Sequence, residues 1–469
     1  MKRSHGFALL WALAALVLAA PAGAQTLSVI GASTKVCQLT GQTDWYSGAT
    51  TNAQTEARYG LFGVDLGFPV ESEKGQLLFL FGDTVPSGHN PILIAPPDDA
   101  IGVTTRTAAP DPTDCLDMKM FGTKRGLDHP VVIPAIDQGS FNVPTGGIEV
   151  GGKIYGFFWT NHCLGPNGFL PNSVNPLALP SATPVPPQSG CPENSVATSL
   201  GRSVLAWAAP GNPLAFTQVA PQSPLAVIPQ MPNGFVYVSA AVPPPPANPK
   251  LTKAPNIPVF GVARYRMSIP YLAMAPQASF ADFKTWKYYA GMGASGPNWI
   301  TYWQWQAGQA NGQWAPPAGA ELYANGPNPF SGSGDERCVG EHSVTWSAEL
   351  HVWLLTYTCG GAQVEARTAP QPWGPWSKPT MLLSAVQTPS VFCTLFWKWY
   401  GGGGCPGLVS QQIPAFSFGY FYAPFVMSRY TEPAKAKSPK AKAATLYWLL
   451  STWDPYQATV MKTTVEVGP

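Results

Sequence analysis

Two aspartates eighteen residues apart, in Gly63-Val64-Asp65-Leu66-Gly67 and Phe81-Gly82-Asp83-Thr84, have the residue type and spacing for paired acid–base work. Such a pair can split a glycosidic bond when one carboxyl protonates the leaving oxygen and the other activates water. Asp65 stands between two glycines, which leaves open space around its carboxylate. The intervening residues must position the pair, and they read as a hairpin. Leu61–Val70 is a strand, Glu71–Gly75 a turn, and Gln76–Phe81 a second, almost wholly apolar strand. On the first strand Phe62, Val64, Leu66 and Phe68 share one face and Asp65 takes the other. If the five turn residues form the loop, Asp83 falls opposite Gly63, on the face of Asp65. A diagonal neighbour on one face is roughly 7 Å away, within the roughly 5 to 9.5 Å of paired glycosidase carboxylates. A one-residue change in loop length would put Asp83 on the opposite face.

Other polar residues fall where they could support this pair. Asp44 and Trp45 lie just upstream, Glu149 follows Pro144-Thr-Gly-Gly147, and Glu341-His342 follow Gly340. Arg202, Arg266 and Arg367 are possible partners for the acids. Trp45, Trp159, Trp299 and Trp453 are candidate sugar-stacking platforms, and each also reads as core. Bland readings stand beside these. Asp83 before Thr84 is a common turn cap, Glu149 and Glu341 could be backbone-bonded structural acids, and His342 a satisfied core partner. Asp44, Asp65 and Asp83 could instead form an oxygen-rich Ca²⁺ site, but no EF-hand spacing supports it. The chain has no GxSxG elbow, P-loop, HExxH or Rossmann glycine set. No metal and no cofactor is expected.

The elements that would carry these residues are strands. With 51 prolines and 47 glycines, long helices are disfavoured. One element recurs: Gln76–Gly82, Lys153–Trp159, His351–Tyr357 and Thr445–Ser451 are each a continuous apolar strand just after a turn. Apolar on both faces, such a strand is buried on both. Each follows a strand of small or polar residues and precedes further strands, at Ala100–Thr105, Ser203–Trp207, Val364–Thr368 and Gln457–Thr463. A looser unit spans Gly234–Ala240, Pro258–Val262, Ser268–Met274 and Trp286–Ala290. Five four-stranded units make an all-β fold, a five-bladed β-propeller of antiparallel blades, with a two-sheet sandwich as the rival. Leu27–Ile30 or Val36–Thr40 could complete the last blade. First strands would line the channel, so their polar groups would converge at one end. Pro166–Gly190, the linker from Pro243 and Gly401–Gly404 read as insertions on one domain, residues 25–469.

Composition sets the surroundings. Met1-Lys2-Arg3, an apolar stretch from Phe7 to Ala20 and Ala22-Gly-Ala24 form a secretory signal, residues 1–24, cut after Ala24. The apolar stretch is short for a bilayer span, so an exported protein with no membrane span in the mature chain is expected, secreted or periplasmic. Eight cysteines fit an oxidising compartment. Loop closure favours Cys163–Cys191, Cys338–Cys359 and Cys393–Cys405, which leaves Cys37 with Cys115. Charged residues are only 11% and net charge is +2, which excludes a nucleic-acid surface. The basic run Lys435–Lys442 reads as a solvated loop. Seventeen tryptophans among few charges suit a β core or a sugar-binding surface.

The motifs around Asp65 and Asp83, Pro144-Thr-Gly-Gly147, Val364–Ala369 leading into Trp373-Gly-Pro-Trp376-Ser, and Leu450-Ser-Thr-Trp453-Asp-Pro-Tyr456 resemble DUF4185, from about Asp44 to Tyr456. The resemblance implies a five-bladed β-propeller and kinship with hydrolases of furanosides. Some members are endo-D-arabinanases of glycoside hydrolase family 183, which cleave mycobacterial arabinan with inversion. It implies Asp65 and Asp83 as acid and base, in unassigned order. The chain has Val64 where the family pattern has Thr. The expected function is an exported glycoside hydrolase acting on a D-arabinan-like polysaccharide. The alternative is a non-catalytic carbohydrate-binding or cell-surface interaction propeller.

Overall fold

A computed structural model describes residues 25–87, 99–121, 131, 133, 143–160, 202–219, 231–245, 255–310, 313–328, 334–359, 363–384, 389–396, 419–453 and 455–468. The expected signal segment, the Pro166–Gly190 and Gly401–Gly404 insertions and the Cys163–Cys191 pair lie outside these residues, as does Cys405.

Five antiparallel sheets follow one another along the chain. Blade one holds Leu61–Glu71, Leu77–Pro86, Ala100–Thr104 and Lys119–Met120. Blade two holds Pro144–Val150, Lys153–Thr160, Arg202–Ala209 and Asn212–Gln218. Blade three holds Tyr237–Ala240, Asn256–Val262, Tyr271–Pro276 and Lys287–Gly293, with an added edge strand, Gly296–Ile300. Blade four holds Val339–Ser347, Val352–Cys359, Gln363–Ala369 and Thr380–Ser384. Blade five is built from both ends of the chain: Tyr420–Val426, Lys442–Trp453, Gln457–Gly468 and, outermost, Thr26–Gln38. One strand thus covers nearly all of both segments expected to close the ring. The first strand of each blade touches that of the next, and the first strand of blade five touches that of blade one. This is the five-bladed propeller read from the repeats.

The second strands are the buried ones. Every residue of Val352–Cys359 is buried, as is the run Leu77–Gly82, so the unbroken apolar strings mark strands packed against blades on both sides. Helices among the described residues are short, such as Thr55–Tyr59 and Pro389–Leu395. Two disulfides match the expected pairs. Cys338–Cys359 links the first two strands of blade four, and Cys37–Cys115 ties the N-terminal strand of blade five to blade one. Cys393 is also disulfide-bonded. Lys435, Lys437 and Lys440 are exposed, as a solvated loop requires.

Candidate active site

The hairpin carrying the two aspartates turns where expected, with the Ser72 amide donating to the Gln76 carbonyl at 2.8 Å. Its register is two residues from the expected one: Gly63 pairs with Val85, not Asp83. An even offset preserves the face, and it brings Asp83 opposite Asp65 instead of diagonal to it. Two bulges then interrupt the ladder. Between the pairs Val64–Thr84 and Leu66–Phe81, Asp65 faces two residues, Gly82 and Asp83. Between Leu66–Phe81 and Phe68–Leu80, Gly67 faces none. Leu66 and Gly67 both take left-handed backbone, φ 57° and 86°. Bulges beside sites re-aim side chains. Here they break the expected alternation, so Leu66 lines the same cavity as Asp65 and Asp83.

That cavity, about 570 Å³, lies at the mouth where the first strands begin, and all five blades wall it. Blade one gives Asp65, Leu66 and Asp83; blade two, Val143 and Trp159; blade three, Tyr237 and the loop residues Tyr265, Arg266 and Met267. Blade four gives Glu341, and blade five gives Tyr420, Tyr422, Trp453 and Tyr456. Half of the lining residues are therefore aromatic, beside three carboxylates and one guanidinium.

Asp65 is only 8% exposed. The flanking glycines do not leave it open space: a Cβ at Gly63 would lie 2.2 Å from the Tyr456 carbonyl oxygen, so Gly63 instead admits the blade-five backbone. Gly82 makes the room for the carboxyl, since a Cβ there would sit 2.6 Å from Asp65 Oδ1. The Tyr422 hydroxyl donates to Oδ2 at 3.0 Å. Burial pushes the Asp65 carboxyl up to about 7, and the negative charge of Glu341 adds to this. The hydroxyls of Tyr456 and Tyr422 pull the other way by hydrogen bonding. Asp83 is half-buried, less enclosed as a residue than Asp65, although its Oδ1 is itself closed to solvent.

Glu341 is buried at 4% exposure and held by two donors from blade three. The Tyr265 hydroxyl donates to Oε1, and Arg266 Nη2 lies 3.3 Å from Oε1 and 3.4 Å from Oε2. Arg266 reaches it from a left-handed backbone, φ 56°, fixed by its amide bond to the Val339 carbonyl at 2.9 Å. A Cβ at Gly340 would lie 2.9 Å from Arg266 Cγ, so this glycine admits the arginine.

The other sequence candidates divide. Trp159 and Trp453 line the cavity, and Trp453 stacks on Tyr420 at 5.6 Å. Asp44 and Trp45 do not line it. Asp44 pairs with Lys35 at 2.7 Å and accepts the Tyr46 and Ser47 amides, as a short acid in a turn does. Glu149 sits beside the hairpin turn at the far end of its strand and accepts the Glu73 amide. His342 does not line the cavity and is fully buried, its ring 5.5 Å from that of Tyr237. Burial pushes it down to about 4, and Nδ1 lies 3.1 Å from the Gly340 carbonyl. It is therefore neutral at neutral pH, and its buried Nε2 bonds to nothing among the described residues. Trp299 packs against Tyr289 and Trp373. Arg266 pairs with one acid of the cavity, Glu341, whereas Arg367 pairs with Glu336 beside blade four. Tyr237, Tyr265, Tyr420, Tyr422 and Tyr456 were not legible as site residues. The alternation in Tyr420-Phe-Tyr422 at the start of a strand is the signal that marks two of them.

No curated protein matches the chain. Among solved structures, a protein from Bacteroides ovatus is 10% identical, with a TM-score of 0.41 and 87% of each chain covered. The exo-β-1,3-galactanase of Phanerochaete chrysosporium is 9% identical with a TM-score of 0.38, over 92% of this chain and 64% of that one, so this chain spans less than two thirds of its length. A GH43_1 enzyme from Xanthomonas citri is 10% identical with a TM-score of 0.37, over 86% and 87%. Residues 248–462, blades three to five without the first-blade motifs, match the sequence model of DUF4185, a domain of unknown function, and so bear out the resemblance to that family.

Proposed function

We propose that this protein is an exported glycoside hydrolase that cleaves a furanose-containing, D-arabinan-like polysaccharide by single displacement. The observation that carries the reading is the unequal aspartate pair in one cavity rich in aromatic rings: Asp65 buried with its carboxyl pushed up to about 7, Asp83 the less buried residue of the two. Environments that separate two carboxyls in this way divide acid from base. Asp65, protonated, gives its proton to the glycosidic oxygen as the C–O bond breaks. Asp83 takes a proton from the water that attacks the anomeric carbon. The glycosidic bond is replaced by one hydroxyl on each fragment, and the two carboxyls exchange charge, to be reset by solvent. The aromatic walls suit the apolar faces of sugar rings, with Trp453 and Trp159 as platforms. The furanose assignment is supported by the family resemblance, and export by the signal-like N terminus and the disulfides.

The test is reducing-end release from D-arabinan by the wild type and by Asp65→Asn and Asp83→Asn. Each variant should lose roughly 10²- to 10⁴-fold in kcat. Wild-type kcat/KM should fall as pH rises through about 7, where Asp65 gives up its proton. Full activity in both variants would overturn the catalytic assignment. Binding without release across a broad polysaccharide panel would favour a non-catalytic carbohydrate-binding propeller.

A further inference from the structure

The two aspartates do not account for the most constrained part of the cavity. Glu341 stands on the first strand of blade four, and Asp65 on that of blade one. First strands touch only their ring neighbours, so these two face one another across the channel mouth, with blade five between them on one side and blades two and three on the other. Glu341 is tied to blade three by an ion pair and a phenol. Holding it there takes a non-glycine residue in left-handed backbone, Arg266, and a glycine, Gly340, to admit it. Strained backbone of this kind clusters where a side chain must be aimed. Arg266 is also spared part of its bonding: its Nε is buried and donates to nothing among the described residues.

We propose that Glu341 is a third working carboxylate of this cavity, a fixed negative charge that Arg266 and Tyr265 hold opposite Asp65, stabilising the positive charge that develops on the sugar as the glycosidic bond breaks. The inference rests on the glycoside hydrolase reading above. A glycosidase transition state resembles an oxocarbenium ion, and a preorganised charge in a cavity lined largely by apolar surface acts on it without reorganising. Both Glu341 oxygens are already engaged by donors, the Tyr265 hydroxyl and the Arg266 guanidinium, so its role differs from that of Asp65. Arg266 and Tyr265 are positioning residues, acting through Glu341. The same charge favours the protonated form of Asp65, which is also faced by Asp83 from its own hairpin, Tyr422 and Tyr456 from blade five, and Tyr237 and Arg266 from blade three.

The experiment compares pH profiles of D-arabinan hydrolysis for the wild type, Glu341→Gln, Glu341→Asp and Tyr265→Phe, with circular dichroism as the check on folding. Glu341→Gln should lower kcat on the order of 100-fold with little change in KM, and move the alkaline limb to lower pH, because Asp65 loses a neighbouring negative charge. Glu341→Asp keeps the charge and should retain the wild-type limb with a partial recovery of kcat. Tyr265→Phe leaves the ion pair in place and should lower kcat less than Glu341→Gln. This variant carries the test if Glu341→Gln fails to fold. A folded Glu341→Gln with wild-type kcat and limb, or a Tyr265→Phe with wild-type kcat, would overturn the proposal while leaving Asp65 and Asp83 in their roles. Wild-type protein that releases no sugar would instead overturn the underlying reading.

Discussion

The environment of Asp65 should be visible in the stability of the fold, independently of any substrate. An aspartate in the unfolded chain titrates near 3.8, and in the folded protein Asp65 titrates near 7. Below 3.8 both states hold the proton, and above 7 neither does. Between the two, the folded state keeps a proton that the unfolded state has released. Stability therefore falls as pH rises across that window, by about 4 kcal/mol when the full interval is converted at about 1.36 kcal/mol per pH unit. Asp65→Asn removes this titration while keeping the shape and an acceptor for the Tyr422 hydroxyl. The variant's stability minus that of the wild type should thus grow by about 4 kcal/mol from pH 3.8 to pH 7 and be flat above. The difference matters because His342 runs the other way. Its folded value near 4 lies below the ordinary 6.5, so it contributes stability that is present above 6.5 and lost as pH falls through 4. The two groups oppose one another in the wild-type profile, and His342 cancels in the subtraction. Guanidinium unfolding followed by tryptophan fluorescence, at half-unit pH steps, measures it. A difference constant within about 1 kcal/mol from pH 4 to pH 8, against the 4 expected, would refute the buried, proton-retaining Asp65.

Three further perturbations probe the scaffold. Gly82→Ala places a Cβ 2.6 Å from Asp65 Oδ1, so it should abolish most hydrolysis while costing only about 1–3 kcal/mol in stability, read by reducing-end release and denaturant midpoint. Removing the Cys37–Cys115 bridge by a double Ser substitution frees a closure across 78 residues, which chain entropy puts at about 4.5 kcal/mol. The thermal midpoint should drop accordingly, and an unchanged midpoint would show that blade five closes without the bridge. Arg367→Met leaves Glu336 buried without its cation and removes the guanidinium donor from the Tyr357 hydroxyl and the Ser377 carbonyl. It should cost about 3–5 kcal/mol by the same unfolding measurement.

The architecture was legible because a strand buried on both faces has an unmistakable composition. Lys153–Trp159 and His351–Tyr357 carry no alternation to confuse with a one-sided sheet, and their recurrence counts the blades. Register was not legible, since bulges depend on the backbone of two residues, Leu66 and Gly67, that nothing in their side chains dictates. The cavity was half legible for a different reason. Asp65 and Asp83 lie on one hairpin, so local sequence reaches both. Glu341, Tyr265, Tyr422 and Tyr456 meet Asp65 only after the ring closes, and separations of up to some 390 residues carry no local signal.

One rule does separate the first-strand acids that line the cavity from the one that does not. Glu149 and Glu341 are both on first strands, and only position along the strand distinguishes them. Asp65 and Glu341 each lie six residues before the end of their strand, whereas Glu149 lies one residue before Val150 and the Gly151-Gly152 turn. At roughly 3.3 Å per residue, five residues displace a carboxylate by about 16 Å along the channel, from one mouth to the other. A polar residue on a first strand therefore belongs to this cavity only if several residues separate it from the following turn. Tyr422 and Tyr237, four and three residues before the ends of their strands, satisfy the same count. Moving an acid from Glu149 to an earlier position of its own strand would bring it toward the mouth that Asp65 occupies. The first positions of that strand, Pro144, Thr145 and Gly146, are instead small or bonded: Thr145 is tied to the Val238 backbone and Gly146 is pressed against the Val238 carbonyl. Blade two is thereby committed to closing against blade three, which leaves the carboxylates of the cavity to blades one and four.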